Sequence, residues 1–322
     1  MKRMVNMTTS CDDLDRFEKR EDMLNLIEGF DGVELMYFGE DEREIIPHER
    51  IIGYHMSYYP YWFDFWRGDT EAVLKEFDTR ENYVRYYGGE DKNAIVRRFK
   101  KEMANAHRYG AEYAVFHVSD ATIEESFTWN YRHGSAEVLE ATAEILNEVF
   151  RDEDGSVALL LENLWQPGLT MTDPAMTKLL LDAVDYENKG IMLDTGHLLH
   201  TNLELRTEEQ GVAYINEMLD RHGDLIKNIR GIHLNQSLTG EYCQKTIANP
   251  PTMGKTFEER YIQMFTHAFA VDGHRPFTCP GVDRLIERIA PEYLTFEFIT
   301  DNNEQHRGFL AAQKEALKDL KL

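Results

Sequence analysis

Short apolar runs recur along this chain, and each is followed by sequence with helical spacing. Val5–Ser10, Gly32–Phe38, Ile51–Ser57, Tyr113–Ser119, Ala158–Leu164, Gly190–His197, Ile229–Gln236 and Tyr293–Thr300 are the predicted strands. Several are almost unbroken apolar runs, such as Ala158-Leu159-Leu160-Leu161, the pattern of parallel strands covered on both faces. Between them, Asn93–Tyr109 carries Ile95, Val96, Phe99 and Met103 along one face. Ser135–Phe150 carries Val138, Leu139, Ile145, Leu146 and Val149, and Gly155 follows its end. Pro174–Val184 opens after Thr172-Asp173, a capping residue with proline just inside the helix. Eight such alternations predict an α/β protein built as a parallel (β/α)8 barrel over residues 1–322.

Two connections are long. Residues 58–89 form an aromatic-rich insert that opens with Tyr58-Tyr59-Pro60-Tyr61-Trp62-Phe63-Asp64-Phe65-Trp66 and continues through Tyr83, Tyr86 and Tyr87. Residues 238–285 hold Pro250-Pro251, Gly254 and a helix-like stretch around Glu258–Phe269. Both follow strands, so in a barrel both rise over the C-terminal face, where barrel enzymes place their sites. The aromatic run reads as lid packing or as a platform for a sugar ring or an aglycone.

Charge and cysteine narrow the partners. The 322 residues hold 35 Lys and Arg against 58 Asp and Glu, a formal net charge of −23. Phosphate neutralisation favours a basic face, so this balance argues against a nucleic-acid partner. Cys11, Cys243 and Cys279 are too few and too scattered for a disulfide framework. With no membrane-length apolar run and no secretory pattern, a cytoplasmic protein is expected, and a homo-oligomer is left open.

The strand ends carry the chemistry. Six of the eight apolar runs stop at a ligand-type residue: His55, His117, Glu162-Asn163, Asp194-Thr195-Gly196-His197, His233 and Glu297. A barrel brings these ends together. Convergent carboxylates repel and raise one another's pKa unless a cation lies among them. Mixed carboxylates and imidazoles suit zinc, manganese, iron or cobalt as Lewis acids. His107, His133, His200, His222, His267 and His306 show no such spacing and are read as non-site.

With Gly32-Val33-Glu34-Leu35, Phe116-His117, Leu161-Glu162-Asn163, Leu193-Asp194-Thr195-Gly196-His197, Gly231-Ile232-His233-Leu234 and Thr295-Phe296-Glu297, the chain resembles the xylose-isomerase-like TIM-barrel superfamily over about residues 5–300. That group includes sugar isomerases and epimerases, inosose dehydratases and the endonuclease IV type of abasic-site nuclease. The resemblance implies a divalent-metal site (zinc or manganese) of Glu162, Asp194, His233 and Glu297. In the isomerase branch Glu162 and Glu297 are also the acid/base pair, and His197 touches a substrate hydroxyl. Trp62, Trp66, Asn163 and Arg275 join His197 as candidate substrate contacts.

The endonuclease IV branch uses a three-metal set, for which His55, His117, His197 and the pair Asp272 and His274 are candidates, giving one to three ions in all. One feature departs from the sugar-epimerase pattern: no Arg follows His233 closely, and Lys245 is the first basic residue after it. The first expectation is a sugar or sugar-phosphate isomerase or epimerase acting on a small-molecule carbohydrate by proton transfer. The alternatives are a phosphodiesterase with a multinuclear zinc site and a lyase that cleaves C-glycosides.

Overall fold

The computed structural model describes residues 1–321. Eight parallel strands close in sequence order into a barrel. They are β1 (Lys2–Thr8), β2 (Gly32–Met36), β3 (Ile51–His55), β4 (Tyr113–His117), β5 (Ala158–Glu162), β6 (Lys189–Asp194), β7 (Ile229–Leu234) and β8 (Tyr293–Phe296). The predicted strands overrun the observed ones by two to four residues at their C-terminal ends, where the chain leaves the ladder to form the site. At β6 the overrun has a clear cause. The Asp194 carboxylate accepts the His197 amide at 2.6 Å and caps the helix Thr195–His200, so the predicted strand end is a helix. The helices Asn93–Tyr109, Ser135–Val149 and Pro174–Ala183 form where apolar periodicity predicts them, the last capped by Asp173.

Side-chain alternation along the strands builds two levels inside the barrel. The lower level is apolar, with Met4, Ile52, Val115, Leu160, Met192 and Tyr293 packed as one cluster. Two residues further along, Val115 gives way to His117, Leu160 to Glu162 and Met192 to Asp194. Register then sets these neighbours side by side: His117 pairs with Glu162, and Asp194 with His233. The alternate positions, including Leu159, Leu161, Ile191, Leu193 and Ile232, face outward into the helix layer.

The two long connections fold into helices over the C-terminal mouth. Residues 58–89 form Phe63–Arg67, Thr70–Phe77 and Arg80–Tyr87. Residues 238–285 contain Gly240–Ala248 and Phe257–Val271. The connections interlock: Phe77 and Phe257 rings lie 4.6 Å apart, and Arg260 meets Asp78 at 2.9 Å. Among the described residues, no helix is long and apolar enough to cross a membrane.

Candidate metal centre

Glu162 sits at the middle of the mouth and is fully buried. Its Oε2 lies 2.8 Å from His117 Nε2 and 3.3 Å from His55 Nε2. Its Oε1 lies 3.0 Å from His233 Nδ1 and 3.4 Å from His197 Nδ1. The two oxygens of one carboxylate therefore face two separate sets of donors. One set is His55, His117 and Glu162, and the other is Glu162, Asp194, His233 and Glu297. Within each, one donor atom per residue lies within 4.8 Å of all the others.

A third set forms beside them. Asp194, His197 and His274 also bring donor atoms within 4.8 Å of one another. Asp272 Oδ2 stands 2.9 Å from His197 Nε2 and 3.0 Å from His274 Nε2. The Asp272-Gly273-His274 turn is held there by a two-way backbone bridge. Gln236 N donates to Arg275 O at 2.7 Å, and Arg275 N donates to Gln236 O at 2.9 Å. His274 has φ of +41°, a left-handed conformation that costs a non-glycine residue energy and is found where surrounding structure enforces it.

The imidazoles are oriented by their second nitrogens. His55 Nδ1–H donates to the Met56 carbonyl at 3.1 Å and His197 Nδ1–H to the Asn163 carbonyl at 2.9 Å, which leaves each Nε2 facing the nest. His233 Nε2–H donates to Glu34, 2.9 Å away, which leaves Nδ1 facing Glu162 and Glu297. Glu34 is itself fixed by the hydroxyls of Tyr113 at 2.6 Å and Thr295 at 3.1 Å. This carboxylate–imidazole backing is the arrangement that sets the tautomer of a ligand histidine. Gly196 allows the helix Thr195–His200 to lie close against the residue that follows β7, since a Cβ there would lie 1.9 Å from Asn235 Oδ1. Asn235 Nδ2 in turn donates to Asp194 Oδ2 at 2.8 Å.

The electrostatics and the unmet contacts of the nest are compatible with a divalent cation. Burial pushes the Glu162 carboxyl up, but the facing His117 and His233 charges more than reverse this and hold it far below the carboxylate range. Burial opposes protonation of His274, yet Asp272 and Glu297 raise its pKa to about 9. Burial, with the Glu297 charge nearby, lifts Asp194 to about 7 despite His197. Glu162 Oε2, Glu297 Oε2, His117 Nδ1 and both His274 ring nitrogens are buried without a hydrogen-bond partner. Close approach without hydrogen-bond alignment is the geometry of donors arranged around a shared centre.

All nine candidate ligands thus gather at one mouth: His55, His117, Glu162, Asp194, His197, His233, Asp272, His274 and Glu297. Four expected substrate contacts are placed otherwise. Trp62 is buried, with Nε1 donating to the Ser119 carbonyl at 2.8 Å, so its N–H is spent within the protein. Trp66 donates to Glu144 at 2.7 Å and carries Lys92 over its ring, away from the mouth. The Asn163 amide is consumed by Asp194, accepting its N–H at 2.9 Å and donating to its carbonyl at 3.0 Å. Arg275 is exposed and lines a different cavity with Arg206, Glu208 and Thr278.

Two residues were missed. Glu34 lies inside an otherwise apolar strand, and a carboxylate in such a run was the available signal. His200 was read as non-site, yet its Nε2 lies 3.5 Å from Asp272 Oδ1. Its place one turn after His197 was the only hint.

A closed parallel barrel with a buried carboxylate–imidazole nest at its C-terminal mouth defines the class. The sequence matches the xylose isomerase-like TIM barrel family over residues 28–307, and the chain belongs to that family. A sequence search of curated proteins returns no match. Similar solved structures include the apo 3-keto-D-glucoside 4-epimerase YcjR from E. coli (12% identity, 98% of this chain and 99% of that one, TM-score 0.52). An IolI protein with a bound zinc atom is similar at 13% identity over 100% and 99% of the chains, with a TM-score of 0.51. An L-ribulose 3-epimerase is similar at 11% identity over 98% and 95%, with a TM-score of 0.51. At these identities the likeness concerns the fold.

Proposed function

We propose that this chain is a divalent-metal-dependent hydrolase that cleaves a phosphoester of a small molecule at a multinuclear centre. This places the second sequence expectation ahead of the first. The observation that carries it is the bridging position of Glu162. An isomerase needs the β5 carboxylate to exchange a proton with substrate carbon, and here both Glu162 oxygens already face imidazoles with no solvent exposure. The third donor set around Asp272 and His274 has no task in a one-ion proton shuttle. Zinc or manganese in such sets supplies charge stabilisation for a phosphoryl oxygen and a nucleophile at neutral pH. His55, His117, His197, His233 and His274 would hold the ions with Asp194, Asp272 and Glu297, and Glu162 would be shared between two of them. Glu34 keeps His233 in the ligating tautomer.

The net charge of −23 favours a small phosphorylated substrate over a duplex. The test is turnover of bis(4-nitrophenyl) phosphate by zinc- or manganese-loaded protein. Release of nitrophenol that disappears in Glu162→Gln and falls in His274→Ala supports hydrolysis. A specific observation keeps a second reading in view: Glu162, Asp194, His233 and Glu297 suffice for one ion, and two of the similar structures are sugar epimerases. Solvent-deuterium exchange into D-fructose without any phosphoester turnover would select that reading instead.

A further inference from the structure

Beside the nest, the two long connections enclose a second feature, a cavity of about 480 Å³. Its volume lies in the range of small-molecule sites. It adjoins the nest directly. Tyr58 lines it and places its ring 4.7 Å from His117, while Trp165 lines it with its ring 5.4 Å from His197. The far wall is the helix Phe257–Val271, which contributes Tyr261, Met264 and Phe265. That helix is fixed to the barrel side by His267, whose ring stacks 4.3 Å from Phe127 and whose Nε2 lies 3.1 Å from the Ser126 carbonyl.

Aromatic rings therefore stand on opposite walls, and the polar groups are few. A sugar placed there would leave most hydroxyls without partners, which costs free energy. A flat apolar ring would meet rings on both sides. One polar feature is unspent: Gln166 Oε1 lines the cavity, is buried, and accepts no hydrogen bond. Phe265 remains 53% exposed at the rim, an apolar cost that an occupant would relieve.

We propose that this cavity binds an aromatic group of the substrate, one carrying a hydroxyl or N–H donor toward Gln166, while the reacting ester lies over the nest. The inference rests on the hydrolase reading for what lies over the nest, but the cavity can be tested without it. The probe is 2-naphthol, titrated by fluorescence into metal-free protein. Saturable binding is expected, weakened on the order of tenfold or more by Ala268→Trp, which fills the cavity from the exposed side of the helix, and also by Phe265→Ser. Circular dichroism and metal content should match the parent chain in both variants. No saturable binding, or binding equally tight in Ala268→Trp, overturns the proposal.

The loaded protein is then compared on 2-naphthyl phosphate and methyl phosphate. A preference for the naphthyl ester that Ala268→Trp lowers supports the joint reading, and a preference unchanged in Ala268→Trp, as leaving-group acidity alone would give, counts against the cavity. If neither ester nor bis(4-nitrophenyl) phosphate turns over while naphthol still binds, hydrolysis fails and the aromatic site stands.

Discussion

His117 Nε2 stands 2.8 Å from Glu162 Oε2, while Oε1 of the same carboxylate stands 3.0 Å from His233 Nδ1. One side chain thus links two donor sets, and its loss should not be equivalent to the loss of any other ligand. Glu162→Gln is expected to lose two ions per chain. Asp272→Asn, which touches only the third set, is expected to lose one. Elemental analysis of purified, zinc-loaded variants checks this, and equal losses in both would contradict the bridge.

Glu34 touches none of the proposed ions but holds His233 Nε2 at 2.9 Å. Replacing such a backing carboxylate typically costs about 10–100-fold in metal affinity. Glu34→Gln should therefore weaken zinc binding by about that factor in a competition titration with a chelator. Glu34→Asp should restore part of it, and unchanged affinity in Glu34→Gln would show that the contact is only structural.

Much of this was legible in the sequence. The barrel followed from eight apolar runs alternating with helical periodicity, and the strand-end residues followed from the polar residue that closes six of them. Asp272 and His274 were candidates through the resemblance alone, because their placement depends on a bridge between Gln236 and Arg275, which are 39 positions apart and carry no pattern. The fates of Trp62 and Trp66 were also hidden. An aromatic run reads the same whether its rings meet substrate or donate to Ser119 and Glu144. Asn163, a candidate substrate contact in the sequence, is a clamp on the Asp194 backbone.

Gly196 has no room for a side chain, as a Cβ would lie 1.9 Å from Asn235 Oδ1. Gly196→Ala should displace Asn235 and, through it, the Asp194 carboxylate. Overpacking of this kind costs about 1–3 kcal/mol. Urea denaturation should show a loss of that size, accompanied by weaker metal retention.

A histidine outside the nest sets an acid limit. His306 is buried, neither ring nitrogen has a hydrogen-bond partner, and burial together with the Arg16 charge lowers its pKa from 6.5 to about 4. The unfolded chain binds the extra proton first, so stability is lost as pH falls from about 6.5 to about 4. The contribution reaches about 3 kcal/mol at the acid end. His306→Leu should flatten that part of the stability–pH curve measured by denaturant unfolding. A parallel curve in the variant would remove His306 as its source.

An anomalous-scattering map of crystals grown with zinc tests the central claim most directly. The account predicts three peaks: one among His55, His117 and Glu162, one among Glu162, Asp194, His233 and Glu297, and one among Asp194, His197 and His274, beside Asp272. A single peak at the four-residue set, with His55, His117 and His274 touching no ion in fully loaded protein, would contradict it.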